Sequence, residues 1–175
     1  DPIGPIPLPL MSILDHTAAA VRTGRTRLLV DPQGADLEAA RVCEADVFDH
    51  RYGDGREIMD DWFASHEDTS VFVSLVDDDG YAVAAARCIL PGPAGLKVDQ
   101  SLVEDWEVDP DTLLDAVGLD RATTWEIASI SVRPRPDGGG LVWTAALLHG
   151  LMQLTGANGA TAGGAVLDEG ARTLP

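Results

Sequence analysis

The chain has 175 residues, of which 45% are hydrophobic, and its formal net charge at pH 7 is −17. A chain of this length predicts one domain with a core of useful size. The acidic excess argues against binding to nucleic acid or to an anionic membrane surface, because charges of the same sign repel. The two cysteines, Cys43 and Cys88, have no metal-ligand spacing, so we expect no metal site and a reducing, cytoplasmic environment.

The beginning of the chain predicts an arm that is followed by a strand and a helix. Residues 1–24 contain a proline-rich stretch and a short helical pattern, and we expect them to lie outside the domain at 25–175. A weak alternation of apolar and polar residues predicts a strand at 25–30. A helix is predicted at 36–48, with Asp36 as its N-cap.

The middle of the chain predicts a β-hairpin. A short helical segment at 56–64 precedes it. The runs at 70–76 and 81–90 are rich in β-branched and apolar residues, which favour strands. Residues 77–80 read Asp-Asp-Asp-Gly, a sequence typical of a tight turn. We therefore expect two neighbouring antiparallel strands here.

The second half of the chain predicts two more strands and their helices. A helix at 111–117 lies in an acidic, otherwise irregular region. A strand at 123–132, a buried helix at 141–153 and a strand at 160–167 follow, and another helix begins at 169–174. Together with the hairpin, this order predicts an α/β domain whose helices pack on one mixed sheet.

A glycine-rich turn separates the strand predicted at 123–132 from the helix that follows it. The turn reads Arg135-Pro136-Asp137-Gly138-Gly139-Gly140. Glycines let the backbone approach a ligand closely, and the N–H groups at a helix N-terminus attract anions, so the turn suits a phosphate. The alternative is an ordinary glycine-rich connection. A dinucleotide-binding loop is disfavoured, because Gly-x-Gly-x-x-Gly in a βαβ unit is missing.

The strand and this turn together resemble the pyrophosphate loop of the GNAT acyltransferase superfamily, and the resemblance covers residues 25–174. It implies a GNAT-like α/β fold with a mixed, largely antiparallel central sheet and helices on both faces. It also implies coenzyme A, or the phosphopantetheine of an acyl carrier protein, as a thioester co-substrate. The implied donor-binding positions are the backbones of Ile130 and Val132, and Arg135, Gly138, Gly139, Gly140 and Leu141 around the phosphates.

Motifs elsewhere in the chain are similar to those of the acyl-homoserine lactone synthases, the autoinducer synthases of the same superfamily. The shared positions are Val47-Phe48, Glu57 to Asp61, Arg87-x-x-Leu90-Pro91 and Trp125-Glu126-Ile127. The resemblance implies an acceptor site formed by Phe48, by Asp60 or Asp61, and by Arg87. It also implies that Glu126 accepts the proton of an attacking amine.

The sequence departs from the lactone synthases at two of their arginines. Glu44 stands at the first of these positions, and the family's Ser-Arg after the Trp-Glu motif reads Ala128-Ser129 here. These departures leave the use of S-adenosylmethionine open. No tyrosine follows the last predicted strand, where many GNAT enzymes place a general acid, and the closing strands of the fold are missing. We therefore expect the domain to be truncated at its C-terminus, or its fold to be completed by another element.

Glu126 and Arg87 each interrupt an apolar strand pattern. A carboxylate in an apolar site can have a raised pKa and serve as a base, directly or through a water molecule. The alternatives are a Glu126 that faces solvent or pairs with an arginine, and an Arg87 that forms a structural ion pair.

We expect the chain to be an N-acyltransferase that moves an acyl group from an acyl-thioester to a small amine. The acidic surface disfavours an acyl carrier protein as the donor's carrier, unless Arg133 and Arg135 form a local basic patch. Two alternatives stay open, a non-catalytic module that binds coenzyme A or pantetheine, and a subunit of a larger assembly. The acceptor, the acyl chain length and the oligomeric state also stay open.

Overall fold

A computed structural model of the chain describes residues 26–134 and 140–165. The described residues form one sheet with the strand order β1-β2-β3-β4-β5. The first four strands pair antiparallel and β5 pairs parallel to β4. The strand bounds are β1 Thr26–Val30, β2 Ser70–Asp77, β3 Ala82–Ile89, β4 Thr124–Val132 and β5 Ala162–Gly164. This is the mixed, largely antiparallel sheet that the sequence predicts.

Five α-helices connect the described strands. They are α1 Ala35–Tyr52, α2 Arg56–Phe63, α3 Lys97–Glu104, α4 Pro110–Val117 and α5 Gly140–Ala157. Two 3₁₀ turns, Ala64–Thr69 and Arg121–Thr123, lead into β2 and β4. Helix α3 lies in the region that the sequence analysis interprets as irregular, and it is the one described helix that the analysis misses.

Helices cover both faces of the sheet, as predicted. Along β2, the buried side chains of Val71, Val73 and Leu75 share a core with α5, whereas Phe72 shares a core with α1. This alternation follows from the two-residue period of a strand. Helix α5 lies very close to the sheet at Gly150, where a Cβ would lie 2.7 Å from Cγ1 of Val73. The absence of a side chain at Gly150 allows this close approach.

The start of α1 differs from the sequence prediction. Its N-cap is Gly34, which has φ 57° and makes no side-chain capping bond, and Asp36 lies inside the first turn. Asp36 still interacts favourably with the helix dipole, because its negative charge lies at the N-terminal end. The helix continues past the predicted end at residue 48 and stops at Gly53, which has φ 82° in the left-handed region.

Strand β4 is longer than its partner β5. The two strands pair only at Thr124, Trp125 and Glu126 of β4. On its other side β4 pairs with β3, and Arg87 lies opposite Ser129 whereas Cys88 lies opposite Ile127. Ala128 is therefore an extra residue in β4, which forms a β-bulge.

Several predictions fall outside the described residues. These are the arm at 1–24, the donor-site residues Arg135, Gly138 and Gly139, the end of the strand predicted at 160–167, and the helix predicted at 169–174. No helix within residues 26–134 and 140–165 is long and apolar enough to span a bilayer.

Candidate functional site

The second half of β4 presents backbone groups to an edge of the sheet. Just after the strand, the Arg133 N–H donates a hydrogen bond to the Val83 carbonyl of β3 at 3.1 Å. Backbone polar groups of successive strand residues point to opposite sides. The N–H and C=O groups of Ile130 and Val132 therefore point away from β3, toward the other edge of β4.

The bulge shifts this alternation by one residue. At the start of the strand, the Thr161 N–H donates to the Thr123 carbonyl at 2.9 Å, so the backbone groups of Thr123 and Trp125 face β5. Beyond Glu126, no strand among the described residues pairs with this edge. The side chain of Ile130 is 40% exposed there. The described part of β4 thus ends in an open edge, defined here as the outward backbone groups of Ile127 to Val132.

The first residue of α5 lies beside the end of this open edge. A Cβ built on Gly140 would lie 3.7 Å from Cγ1 of Val132. Leu141, the next residue, is 79% exposed. The positive end of an 18-residue helix is thus close to the strand along which the sequence predicts a donor. Of the predicted phosphate-binding residues, Gly140 and Leu141 lie at this point, and Arg135, Gly138 and Gly139 lie outside the described residues.

Glu126 is buried and binds the start of helix α3. Glu126 is 3% exposed, and its Oε2 accepts a hydrogen bond from the Val98 N–H at 3.0 Å. Burial raises the pKa of Glu126, and the hydrogen bonds from the Val98 and Lys97 backbone and the Lys97 charge oppose this rise. Glu126 therefore has a carboxyl group with a raised pKa and also caps the N-terminus of α3.

Arg87 forms a buried ion pair with Glu44 of α1. Both side chains are 1% exposed. The Arg87 Nη2 lies 2.7 Å from Glu44 Oε2, and its Nε lies 3.1 Å from Glu44 Oε1. The guanidinium also lies over two aromatic rings, 4.0 Å from the Phe63 centroid and 4.6 Å from the Phe72 centroid. The structure therefore places Arg87 in a structural ion pair, which the sequence analysis left open as an alternative.

The two departures from the lactone-synthase pattern meet at this ion pair. The Ser129 hydroxyl donates a hydrogen bond to Glu44 Oε1, and Ser129 lies opposite Arg87 in the β3–β4 pairing. The sequence shows Arg87 as a polar interruption of an apolar strand, and Glu44 and Ser129 as departures from the lactone-synthase pattern. It does not show that the three are in contact, because Glu44 and Ser129 are 85 residues apart.

The predicted acceptor residues on α1 and α2 lie at different places. Phe48 packs on the apolar cluster around Met59, and its ring centroid is 5.5 Å from that of Tyr52. Asp60 is exposed and accepts from Arg56 Nε at 2.8 Å. Asp61 is also exposed and lines a groove, described next.

The groove lies between α2 and α3 and has a volume of about 580 Å³. Its lining includes Asp61, Trp62, Lys97, Glu104 and Asp105. Asp61 is the predicted site residue in this groove, whereas Trp62, Glu104, Asp105 and Lys97, whose Nζ is 5.6 Å from the Trp62 ring centroid, were not predicted from the sequence. Lys97 is the one lysine of the sequence, and this feature could have pointed to the region. A second groove, of about 610 Å³ at α4, contains none of the predicted site residues.

Arg133 follows β4 but is already engaged. Its Nη2 lies 2.7 Å from Asp46 Oδ2, and its Nε donates to the Ala82 carbonyl at 3.0 Å. Its guanidinium also lies 4.4 Å from the centroid of the Tyr81 ring. Because these contacts hold Arg133 at 17% side-chain exposure, it adds little to a basic patch for a carrier protein.

Comparisons with known proteins give structural likenesses only. No protein-family model matches the sequence, and no curated protein matches it. The chain is similar to the aminoglycoside N-acetyltransferase AAC(6')-Iy in complex with CoA, at 12% identity and a TM-score of 0.49, with 86% of this chain and 83% of that chain covered. It is also similar to an acetyltransferase of Trypanosoma brucei, at 13% identity and a TM-score of 0.47, with 83% and 84% covered. At such low identities and TM-scores, neither likeness says what this chain binds or does.

Proposed function

We propose that the chain is an N-acyltransferase whose acyl-thioester donor binds along the open edge of β4. The observation that carries this proposal is the combination of the bulge at Ala128, the open edge beyond it and the start of α5 beside Val132. The donor is coenzyme A or a phosphopantetheine group, as the resemblance of the glycine turn to the GNAT loop implies. The amide groups of a pantetheine arm would hydrogen-bond to the backbones of Ile130 and Val132, in the manner of an added strand.

The chemistry needs a place for a negative oxygen and a place for a proton. The amine nitrogen attacks the thioester carbonyl, the C–S bond breaks, and the thiolate leaves and takes up a proton. A backbone N–H at the bulge can stabilise the oxyanion that forms during the attack. In this proposal Glu126 accepts the proton of the amine, directly or through a water molecule, since burial raises its pKa toward the working range of a base.

The acceptor in this proposal is a small, positively charged amine. The groove between α2 and α3 supports this choice, because the carboxylates of Asp61, Glu104 and Asp105 outnumber the one positive charge of its lining, Lys97, which lies over the Trp62 ring. An acceptor like that of the lactone synthases stays a prediction. Arg87, the acceptor residue implied by that family, is neutralised by Glu44.

One observation favours a second candidate, a non-catalytic module that binds coenzyme A or pantetheine. Glu126 is bound to the first turn of α3 and Arg87 is bound to Glu44, so these two charged residues of the predicted site have structural partners. A module of this kind would keep the open edge and the glycine turn but lack a working base.

The release of free thiol separates the two candidates. The purified chain is incubated with acyl-CoA donors of several lengths and a panel of amines, and the CoA thiol is measured with a thiol reagent. Acyl transfer predicts thiol release that depends on the amine, and Glu126→Gln should lower kcat by about 10²–10⁴-fold if Glu126 is the base. Binding of CoA without thiol release under any amine would favour the module.

Donor binding has its own test at the glycine turn. Gly139→Asp adds a negative charge beside the expected phosphates and should weaken CoA binding in a calorimetric titration. Gly156→Asp is the matched control, because it adds the same charge at an exposed position near the other end of α5, where a Cβ meets nothing within 4 Å. Equal CoA affinity in the two variants would contradict the assignment of the turn.

A further inference from the structure

Three buried polar side chains meet at the β-bulge of β4. Glu44 comes from α1, Arg87 from β3 and Ser129 from β4, and all three are at most 5% exposed. Glu44 accepts hydrogen bonds from Arg87 and from Ser129, so each charged or polar group of this cluster has a partner. We name these three residues the bulge cluster.

The bulge cluster lies at the point where the strand register shifts. Ala128 and Ser129 together lie opposite Arg87, so Ser129 is the second residue of the bulge. A one-residue shift in register moves every side chain of a strand to the opposite face. Without the bulge, the Ser129 side chain would leave the face that carries Glu44, and the outward backbone groups of Ile130 and Val132 would turn toward β3.

A buried ion pair adds little stability compared with apolar residues of the same size, and its best-attested role is to select one arrangement among alternatives. The Glu44 carboxylate is held by Arg87, and it can accept from Ser129 only if Ser129 is on its face of the sheet. The bonds of the cluster therefore favour the bulged register over the regular one.

We propose that Glu44, Arg87 and Ser129 are positioning residues that fix the β4 bulge and thereby aim its backbone groups at the reacting thioester. This role rests on the acyl transfer proposed above. The residues do not touch the substrate in this proposal, and they act through the backbone of Ile127 to Ile130. The role differs from the acceptor binding that the sequence resemblance implies for Arg87.

The experiment compares two serines of β4. Ser129→Ala removes the hydroxyl that binds Glu44. Ser131→Ala is the matched control, because Ser131 is fully buried on the same face of the same strand and its hydroxyl has no hydrogen-bond partner among the described residues. Both variants are assayed by thiol release at a temperature at which thermal unfolding shows them to be folded. If Ser129→Ala does not fold, Ser129→Cys replaces it, since a thiol is a weaker donor of similar size.

The expected result is a decrease of kcat by about 10–100-fold in Ser129→Ala, because misplacing a reacting group by about 1 Å costs up to 10²-fold. The KM for the donor should rise by a smaller factor than kcat falls, since the phosphates bind elsewhere and only the pantetheine bonds to Ile130 and Val132 depend on the bulge. Ser131→Ala should keep the wild-type kcat, and Ser129→Thr, which restores a hydroxyl, should recover it.

Each other outcome overturns a stated claim. Equal turnover of Ser129→Ala and Ser131→Ala would overturn the positioning role and leave the proposed acyl transfer intact. A loss of kcat that Ser129→Thr does not restore would also overturn the role, since packing and not the hydroxyl would be responsible. A wild-type chain without turnover would overturn the acyl transfer, and the positioning role with it.

Discussion

The buried ion pair of Glu44 and Arg87 leads to a prediction about stability. The result shows whether Arg87 depends on Glu44 or is available to bind an acceptor. Among the described residues, Glu44 has the only carboxylate within 3.5 Å of the Arg87 guanidinium. Glu44→Leu therefore leaves the positive charge of Arg87, whose side chain is 1% exposed, without its partner. Breaking a buried pair in this way typically costs about 3–5 kcal/mol. Since a whole domain is stable by about 5–15 kcal/mol, this loss is a large fraction of the total.

The control is an exposed pair whose glutamate lies on the same helix as Glu44. Glu38 pairs with Arg56 at 2.9 Å, and the two side chains are 59% and 38% exposed. Exposed pairs contribute about 0–1 kcal/mol, so Glu38→Leu should change stability little. The double variant Glu44→Leu/Arg87→Met should recover most of the loss, because apolar residues of similar volume can replace a buried pair.

Urea unfolding followed by tryptophan fluorescence measures these differences. The midpoint should fall in Glu44→Leu with an unchanged slope, which marks a change in stability and not in the surface exposed. If Glu44→Leu cost no more than Glu38→Leu, Arg87 would not depend on Glu44 in solution. The guanidinium would then be available to an acceptor, as the sequence resemblance implies.

Three further predictions concern packing, titration and reactivity. Gly150→Ala should destabilise the fold by about 1–3 kcal/mol in urea unfolding, because its Cβ would lie 2.7 Å from Cγ1 of Val73, whereas Gly156→Ala should not. Because the pKa of Glu126 is raised in the fold, the unfolding free energy of the wild type falls as pH rises past the ordinary pKa of 4.5. The unfolding free energy of Glu126→Gln should therefore increase relative to that of the wild type toward neutral pH. A difference between the two that does not change with pH would refute the raised pKa. Burial raises the pKa of the Cys88 thiol to about 12, so a thiol reagent at neutral pH should modify it only after denaturant is added.

The strands could be predicted from the sequence because their signals are local. The run Ser70 to Val76 is β-branched and apolar, and the structure forms β2 at Ser70–Asp77. The turn at 77–80 is closed by the Gly80 N–H to the Asp77 carbonyl at 3.1 Å. These features depend on residues next to one another in the chain, so a sequence pattern contains them.

Helix α3 could not be predicted in the same way. Its eight residues carry few apolar side chains, and part of its N-terminal capping comes from Glu126, which lies 28 residues after Val98 in the chain. A cap supplied by a distant strand leaves no local signature, and the local cap, in which Asp99 accepts from the Leu96 N–H, has a leucine at the N-cap position, where a polar residue is typical. The predicted N-cap of α1 was also wrong. Asp36 is a favourable N-cap residue and was chosen for that reason, whereas the helix begins after Gly34, which has a positive φ.

The candidate site was predicted in part. Glu126 was identified as a carboxylate inside an apolar strand, and it is buried with a raised pKa. Its partner at α3 and the pairing of Arg87 with Glu44 depend on how helices pack against the sheet, which a single sequence does not state. The position of the bulge at Ala128 depends on the β3–β4 register and was likewise out of reach.

The open edge of β4 also affects how the chain behaves at high concentration. Beyond Glu126 this edge has no partner strand within residues 26–134 and 140–165, and such an edge, with an exposed Ile130, is a template on which another strand can add. The net charge of −17 opposes contact between two copies, but salt screens such repulsion beyond about 8 Å at physiological ionic strength. Self-association through this edge should therefore grow with salt, and a donor bound along β4 would compete with it and keep the chain dispersed.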